Sequence, residues 1–214
     1  MPCAWVRRDV TVVLPAAPPG VVEEIAAFGR FAASRGWVPA TSGNFSRRID
    51  AEHVALTRSG IDKGAIRAED VAVLTVGAPP PPGVSAEAPL HLARYRTDPA
   101  IGAIFHVHTV AATVLSRLDA DAGVVRTDGF EMHKAVGSST HESVVEIPVF
   151  RNDQDTAALA VTVEKRLGPA AAVPGFLLAG HGLYAWGATA ADARRHVEGL
   201  EFLLACHLEE RRLR

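Results

Sequence analysis

Two histidines one residue apart close an apolar run in IFHVHT, residues 104–109. If that run is a β-strand, side chains two apart leave the same face. His106 and His108 then project together, about 7 Å apart along a chain that rises ~3.3 Å per residue, and Val107 faces away. Two imidazoles on one face can share a divalent ion. A third candidate is His181 in LLAGHGLYAWG, which follows an apolar run and lies between Gly180 and Gly182. Those glycines let the backbone turn sharply and come close to a neighbour. Three histidines at strand ends would make an open metal site, because catalytic zinc keeps three protein ligands and one free position. The plainer readings are a histidine pair satisfied by core hydrogen bonds or by water, and a histidine in a hairpin turn.

Two glutamates could move protons beside such an ion. Glu87, in SAEAPLH, lies near a helix start, where the helix dipole favours a carboxylate in any case. Glu131, in GFEMHKA, stands between Phe130 and Met132. Partly buried beside a metal it could exchange protons near neutral pH; otherwise it would simply pair with Lys134, three residues on. Spacing does not choose between the two.

Three loops could hold an anion: TSGNFS with Ser42, Gly43 and Asn44, TRSG with Ser59 and Gly60, and VSA with Ser85. Each joins a small hydroxyl residue to a turn or helix start, where backbone N–H groups can cradle a phosphate. Lys63 could add a point charge. None of the loops has the Walker pattern, and turns contain Ser and Gly everywhere. His91 lies one helical turn after Glu87 and reads as its hydrogen-bond partner. His53, His133, His141, His196 and His207 sit among polar neighbours and read as solvated surface.

The elements that must position these residues follow from periodicity. Helices are expected over residues 21–35, 86–97 with Pro89 in the first turn, about 109–118, 153–167 capped by Asn152 and Asp153, and 190–212. On the last, Ala193, Val197, Leu200, Leu204 and Leu208 share a face. Strands are expected just after TSGN and over residues 53–57, 71–76, 101–108, 144–149, 176–180 and 183–186. GAPPPPG, residues 77–83, can only be an exposed loop. Helices and strands alternate, yet several strands are neighbours joined by short turns. That is an α/β pattern with a mostly antiparallel or mixed sheet covered by helices.

A chain of 214 residues without repeats or linkers reads as one domain over residues 1–214, with residues 1–20 as an N-terminal arm. Its net charge of -2 lacks the basic excess of a nucleic-acid binder, whereas a small anionic ligand needs only a local pocket. Cys3 and Cys206 lie near opposite ends and have no metal-type or redox-type neighbour, which suits a reduced, cytoplasmic chain. No apolar run reaches the ~18 residues of a membrane span, and no secretory signal opens the chain.

Taken in order, TSGN, T-x-SG-x-DK, S-x-E-x-x-x-H, H-x-H and the late GHG resemble the class II aldolase / adducin-head family, over about residues 21–210. The resemblance implies an α/β/α sandwich with a central, mostly antiparallel sheet. It implies one Zn2+ per subunit on His106, His108 and His181, with Glu131 as general acid/base. Glu87 takes the place of the aldolases' catalytic glutamate. Asn44, Ser59, Gly60, Lys63, Ser85 and Lys134 would surround the phosphate of a small sugar-phosphate substrate, with Ser42 and Gly43 in the same loop as Asn44. The segments WVPATSGNFS, TRSGIDKG, GFEMHKA, IPVFRNDQD and AGHGLYAWG look like a dehydratase branch of the family, which eliminates water from a methylthio-substituted ketose 1-phosphate in methionine salvage. A zinc aldolase of the fuculose-phosphate type is the alternative. Adducin heads carry the fold as a binding module without the metal site, and the three histidines present here argue against that. The family commonly forms homotetramers with sites near subunit boundaries; no nucleic-acid or membrane partner is implied. Ala88-Pro89 and His133 depart from the family's usual residues.

Overall fold

The computed structural model describes residues 16–214, in which α1 (Pro19–Ser34) begins two residues before the expected start at residue 21. Residues 1–15, including Cys3, lie outside the described residues. A proline at the first helical position gives up an N–H that would have no partner there. Ile25, Phe28, Gly29 and Ala32 form the helix's buried stripe at positions i, i+3, i+4 and i+7. Gly36 ends it with φ 70°, a left-handed conformation that suits glycine.

Eight strands follow: β1 (Asn44–Arg48), β2 (His53–Thr57), β3 (Val71–Thr75), β4 (Ala103–Val107), β5 (Val124–Thr127), β6 (Val145–Phe150), β7 (Gly175–Leu178) and β8 (Gly182–Gly187). They form one sheet in the order β3-β2-β1-β4-β8-β7-β6-β5. Every junction is antiparallel except β6–β7. Four further helices are α2 (Ala88–Thr97), α3 (Val110–Leu118), α4 (Thr156–Leu167) and α5 (Ala190–Leu213).

The strand alternation of β4 divides the helices into two layers. Ala103, Phe105 and Val107 enter the core shared with α1, α3 and α5. Ile104 points the other way, into the core shared with α2 and α4. All five β4 residues are buried, so β4 is the spine of an α/β/α sandwich. On the first side Phe28 stacks on Phe105 at 3.8 Å between centroids and meets Phe45 edge-on at 4.8 Å. Among the described residues, no helix is long and apolar enough to cross a membrane.

Three details differ from the sequence reading. β4 stops at Val107, so His108 lies just past the strand, its N–H on the Trp37 carbonyl at 2.8 Å. α4 starts later than expected, because Asp155 rather than Asn152 or Asp153 is the cap, accepting from the Ala158 N–H at 3.0 Å. β5 was not anticipated at all. VVRT is four residues long, buries only Val125 and Thr127, and pairs on one side only.

Phe28→Ala should lower stability by about 3–5 kcal/mol, the usual cost of emptying a buried aromatic site. Urea unfolding measures it; a loss under about 1 kcal/mol would mean that the two neighbouring rings do not hold α1 on the sheet.

Candidate active site

β4 carries His106 between two partners fixed by register: Asn44 of β1 on one side and Tyr184 of β8 on the other. The Tyr184 ring stacks on the His106 ring, 3.9 Å between centroids. The β7–β8 turn, with Gly180 at φ 68°, delivers His181 to the same end of β4. Gly182 makes this approach possible. A Cβ there would come within 2.3 Å of the Val107 carbonyl oxygen and 3.0 Å of the His106 ring.

The three rings meet at their Nε2 atoms. His106 Nε2 lies 2.8 Å from His108 Nε2 and 3.3 Å from His181 Nε2. His106 Nδ1 lies 3.0 Å from the Leu183 carbonyl, which can only accept, so that nitrogen carries the proton and Nε2 offers its lone pair to the centre. Burial drives His106 well below the ordinary imidazole range. Burial, with His181 nearby, brings His108 down to about 4. Both are neutral at pH 7, the form that ligates metal. Two nitrogens bound to one tetrahedral zinc stand about 3.3 Å apart, so the cluster already has close to the spacing the ion needs. The donor set therefore fits a divalent cation.

Glu87, at the start of α2, reaches this centre. Its Oε1 lies 3.0 Å from His181 Nε2 and its Oε2 lies 3.3 Å from His106 Nε2. Oε2 also accepts from Asn44 Nδ2 at 2.5 Å and from the Tyr184 hydroxyl at 2.8 Å. Burial alone would raise this carboxyl, but hydrogen bonding to His181 and Asn44 holds it below the usual carboxylate range. Tyr184 is pushed the other way by burial and by Glu87, so it stays protonated and donates.

The three expected anion loops are knitted together beside Glu87. Asn44 Nδ2 also donates to Ser85 Oγ at 3.1 Å, and the Glu87 N–H does so at 3.3 Å. With both bonds accepted, the Ser85 hydroxyl hydrogen stays free to donate. An isolated antiparallel bridge ties Arg58 to Val84 and so joins the loop of Ser59 and Gly60, both exposed, to the loop of Ser85. Gly43 passes close to His106, where a Cβ would meet the His106 carbonyl at 2.6 Å. Ser42 Oγ is buried with no partner among the described residues.

Lys63 lies differently from the expectation of a charge offered to phosphate. It is 2% exposed, and its ammonium bonds the Thr41 carbonyl at 2.9 Å and the Ile61 carbonyl at 3.1 Å. Burial lowers its pKa. The residue it holds, Thr41, and Ala40 before it have φ of 65° and 50°, a strained backbone for non-glycine residues. Lys63 braces that turn from beneath.

Glu131 and Lys134 also stand apart from the histidines. They occupy a 3-10 turn, Glu131–Val136, that follows β5 at the far edge of the sheet and packs on α5. Glu131 is 69% exposed and pairs with Lys134 and, at 3.5 Å, with His141. Among the described residues of one chain, the carboxylate at the three histidines is Glu87.

Other histidines also depart from expectation. His91 bonds Asn44 and Ser46 rather than Glu87. His133 is fully buried on Thr127, and His196 is half-buried with Nδ1 on the Trp186 carbonyl at 2.6 Å. Tyr184 escaped notice because an aromatic in an apolar strand signals core packing, and only the register with His106 reveals its hydroxyl's aim. Beside the cluster a cavity of about 570 Å³ opens past His108 and His181, with Thr113, Asn152, Val110 and Val114 on its walls. A larger cavity, about 750 Å³, lies between Trp37, Met132 and α5 and touches none of the three histidines.

The family profile described as Class II Aldolase and Adducin N-terminal domain matches residues 23–208. The chain is 51% identical over 187 residues to methylthioribulose-1-phosphate dehydratase from Parvibaculum lavamentivorans, covering 87% of this chain and 92% of that one. It is also 51% identical over 197 residues to the protein of the same name from Bradyrhizobium sp., covering 89% and 91%. Among solved structures, L-fuculose-1-phosphate aldolase from Thermus thermophilus superposes with a TM-score of 0.72 at 26% identity, covering 90% of this chain and 95% of that one.

Two outcomes follow. Gly182→Ala should abolish binding of one divalent ion per chain, read by elemental analysis, while the far-ultraviolet circular dichroism stays native. Full metal content would remove the close approach of His181 as a requirement. The second concerns acid. Burial brings His91 down to about 4 from 6.5, so as pH falls the unfolded chain takes up the proton first. The metal-free protein should hold its stability above about pH 7 and lose it between about 6.5 and 4, with His91 alone accounting for about 3 kcal/mol. Urea midpoints across pH test this: His91→Gln should flatten the fall, and an unchanged slope would contradict it.

Proposed function

The chain belongs to the class II aldolase and adducin N-terminal domain family, and from that premise we propose that it is a methylthioribulose-1-phosphate dehydratase. The reaction removes water from 5-methylthioribulose 1-phosphate and leaves the 2,3-diketone. The observation that carries the reading is the meeting of His106, His108, His181 and Glu87 at one end of β4, in a chain half-identical to proteins of that name.

His106, His108 and His181 hold a divalent cation, and a three-imidazole set with an open position suits zinc. When bound, the ion supplies Lewis-acid polarisation of the substrate ketone. The remaining steps fall to the chain itself. Polarising the C2 carbonyl acidifies the proton on C3. Glu87, ionised and fixed by Asn44 and Tyr184, is placed to accept that proton. The phosphate lies over the joined loops, with the free Ser85 hydroxyl hydrogen, Ser42, Ser59 and the backbone of Gly43 and Gly60 as donors. Lys63 contributes by holding the Thr41 turn in shape.

The C4 hydroxyl leaves as water, and the C3 enol so formed then tautomerises, C4 gaining a proton as the C3 hydroxyl loses its own, to give the 2,3-diketone. To leave, the C4 hydroxyl must receive a proton. Glu131 takes that role from a neighbouring copy of the chain, because its exposed turn stands away from the histidines of its own. Lys134 and His141 beside it form a group able to carry protons. The reading thus requires a homo-oligomer, which we take to be a tetramer, and it places the chain in the cytoplasm, where the free Cys206 stays reduced. The second reading is a sugar-phosphate aldolase, favoured by Glu87 itself and by the likeness to L-fuculose-1-phosphate aldolase. It would use the same C2 polarisation and break the C3–C4 bond.

Zinc-loaded protein given methylthioribulose 1-phosphate should yield the diketone; cleavage to two smaller fragments instead would move the assignment to aldolase. Glu87→Gln and Glu131→Gln should each keep the metal and lose about 100-fold or more in turnover, the usual scale for a positioned acid or base. Co-expressing the Glu131→Gln chain with a His108→Ala chain should restore part of the activity. No recovery in mixed oligomers would place Glu131 outside the shared site.

A further inference from the structure

Behind Glu87 a line of buried polar side chains runs into the layer between the sheet and α2. Asn44 (4% exposed), Ser46 (0%), His91 (1%) and Tyr95 (1%) are all closed to solvent. Asn44 Oδ1 is 2.5 Å from His91 Nε2, His91 Nδ1 is 2.7 Å from Ser46 Oγ, and Ser46 Oγ is 3.0 Å from the Tyr95 hydroxyl. Arg48 clamps the far end, its guanidinium 4.8 Å over the Tyr95 ring and donating to the Tyr95 carbonyl at 2.9 Å. Resting on the reading of Glu87 as the proton acceptor, we infer that His91, Ser46 and Tyr95 are positioning residues, a one-way hydrogen-bond chain that fixes the Asn44 amide and through it the Glu87 carboxylate.

The direction follows from donor and acceptor counting. An ionised carboxylate only accepts, so Asn44 must turn its NH2 group to Glu87 Oε2. The same NH2 reaches Ser85 Oγ, which leaves the amide carbonyl facing His91. A carbonyl only accepts, so His91 Nε2 carries the hydrogen. In a neutral imidazole Nδ1 is then bare and accepts from the Ser46 hydroxyl. Burial keeps His91 neutral, with a pKa down at about 4. Ser46, its own hydrogen given to His91, accepts from Tyr95. Burial raises the Tyr95 hydroxyl above its ordinary pKa, so it retains the proton to give.

Every donor therefore points toward Glu87. A flipped Asn44 would set a carbonyl oxygen against the carboxylate and an NH2 against the His91 N–H, so His91 locks the amide. The lock matters for turnover rather than for binding the substrate or the ion, since none of the three residues reaches the cavity beside the histidines. Losing such an outer partner typically costs about 10- to 100-fold in activity.

Long-range 1H–15N spectra and steady-state kinetics on the zinc-loaded full chain test the inference together. Expected for His91 is a protonated Nε2 and a bare, pyridine-type Nδ1. His91→Phe should lower kcat by about 10-fold or more, with KM within about two-fold and one zinc per chain retained. His91→Gln, which can still donate to Asn44, should stay within about three-fold of the wild type. A proton on Nδ1, an unchanged kcat in His91→Phe, or a His91→Gln as slow as His91→Phe would each overturn the chain. If His91→Phe does not fold, Ser46→Ala is read by the same kinetics, with an unchanged kcat again the contrary result. Should the wild type form no diketone, the dehydratase reading fails, while the His91 proton still decides the hydrogen-bond chain.

Discussion

The molecule turns on the placing of three imidazole nitrogens within bonding range of one ion. None of the three histidines achieves this alone. His106 is set by a central strand and by the Leu183 carbonyl that fixes its tautomer. His108 is set by the Trp37 carbonyl just past the strand end. His181 arrives on a turn that closes only because Gly182 has no side chain. Convergent lone pairs in a buried site are unfavourable without a cation between them, so the arrangement is one that a bound cation would complete. The sandwich explains how it can: β4 is enclosed by both helical layers, and side-chain motion there would disturb close packing on either side.

Around that centre, charge is arranged in opposition. Among the described residues Glu87 is the one carboxylate that touches the histidine triad within a chain, and its partners Asn44 and Tyr184 are neutral donors that hold it in orientation. Lys63, a nearby cation, is turned away onto backbone carbonyls. The result is an anionic residue beside a cation site and a set of uncharged donors where an anionic substrate end would lie. That division suits a ketose phosphate, whose carbonyl needs polarising and whose phosphate needs hydrogen bonds.

Much of this was legible in the sequence. The alternation in IGAIFHVH gives a buried strand with two histidines on one face, and glycines on both sides of His181 give a tight turn, so the triad could be assembled from spacing. Helix periodicity placed α1 and α5 to within a few residues. What escaped depends on tertiary register. β5 is too short and too weakly apolar to stand out, and the turn carrying Glu131 lacks any periodic signal. Lys63 looked like a phosphate ligand because a lysine in a Ser-Gly loop is most often exposed; only the strained Thr41 turn above it explains its burial. His91 is four residues from Glu87 and seemed to belong to it, yet the sheet offers closer partners in Asn44 and Ser46.

The central claim is the meeting of His106, His108 and His181 about one ion. X-ray absorption at the zinc edge of the loaded protein addresses it most directly. The account predicts three imidazole scatterers with nitrogen or oxygen neighbours at about 2.0–2.1 Å and no sulfur. A shell with fewer than three imidazoles, or one containing sulfur at about 2.3 Å, would contradict it.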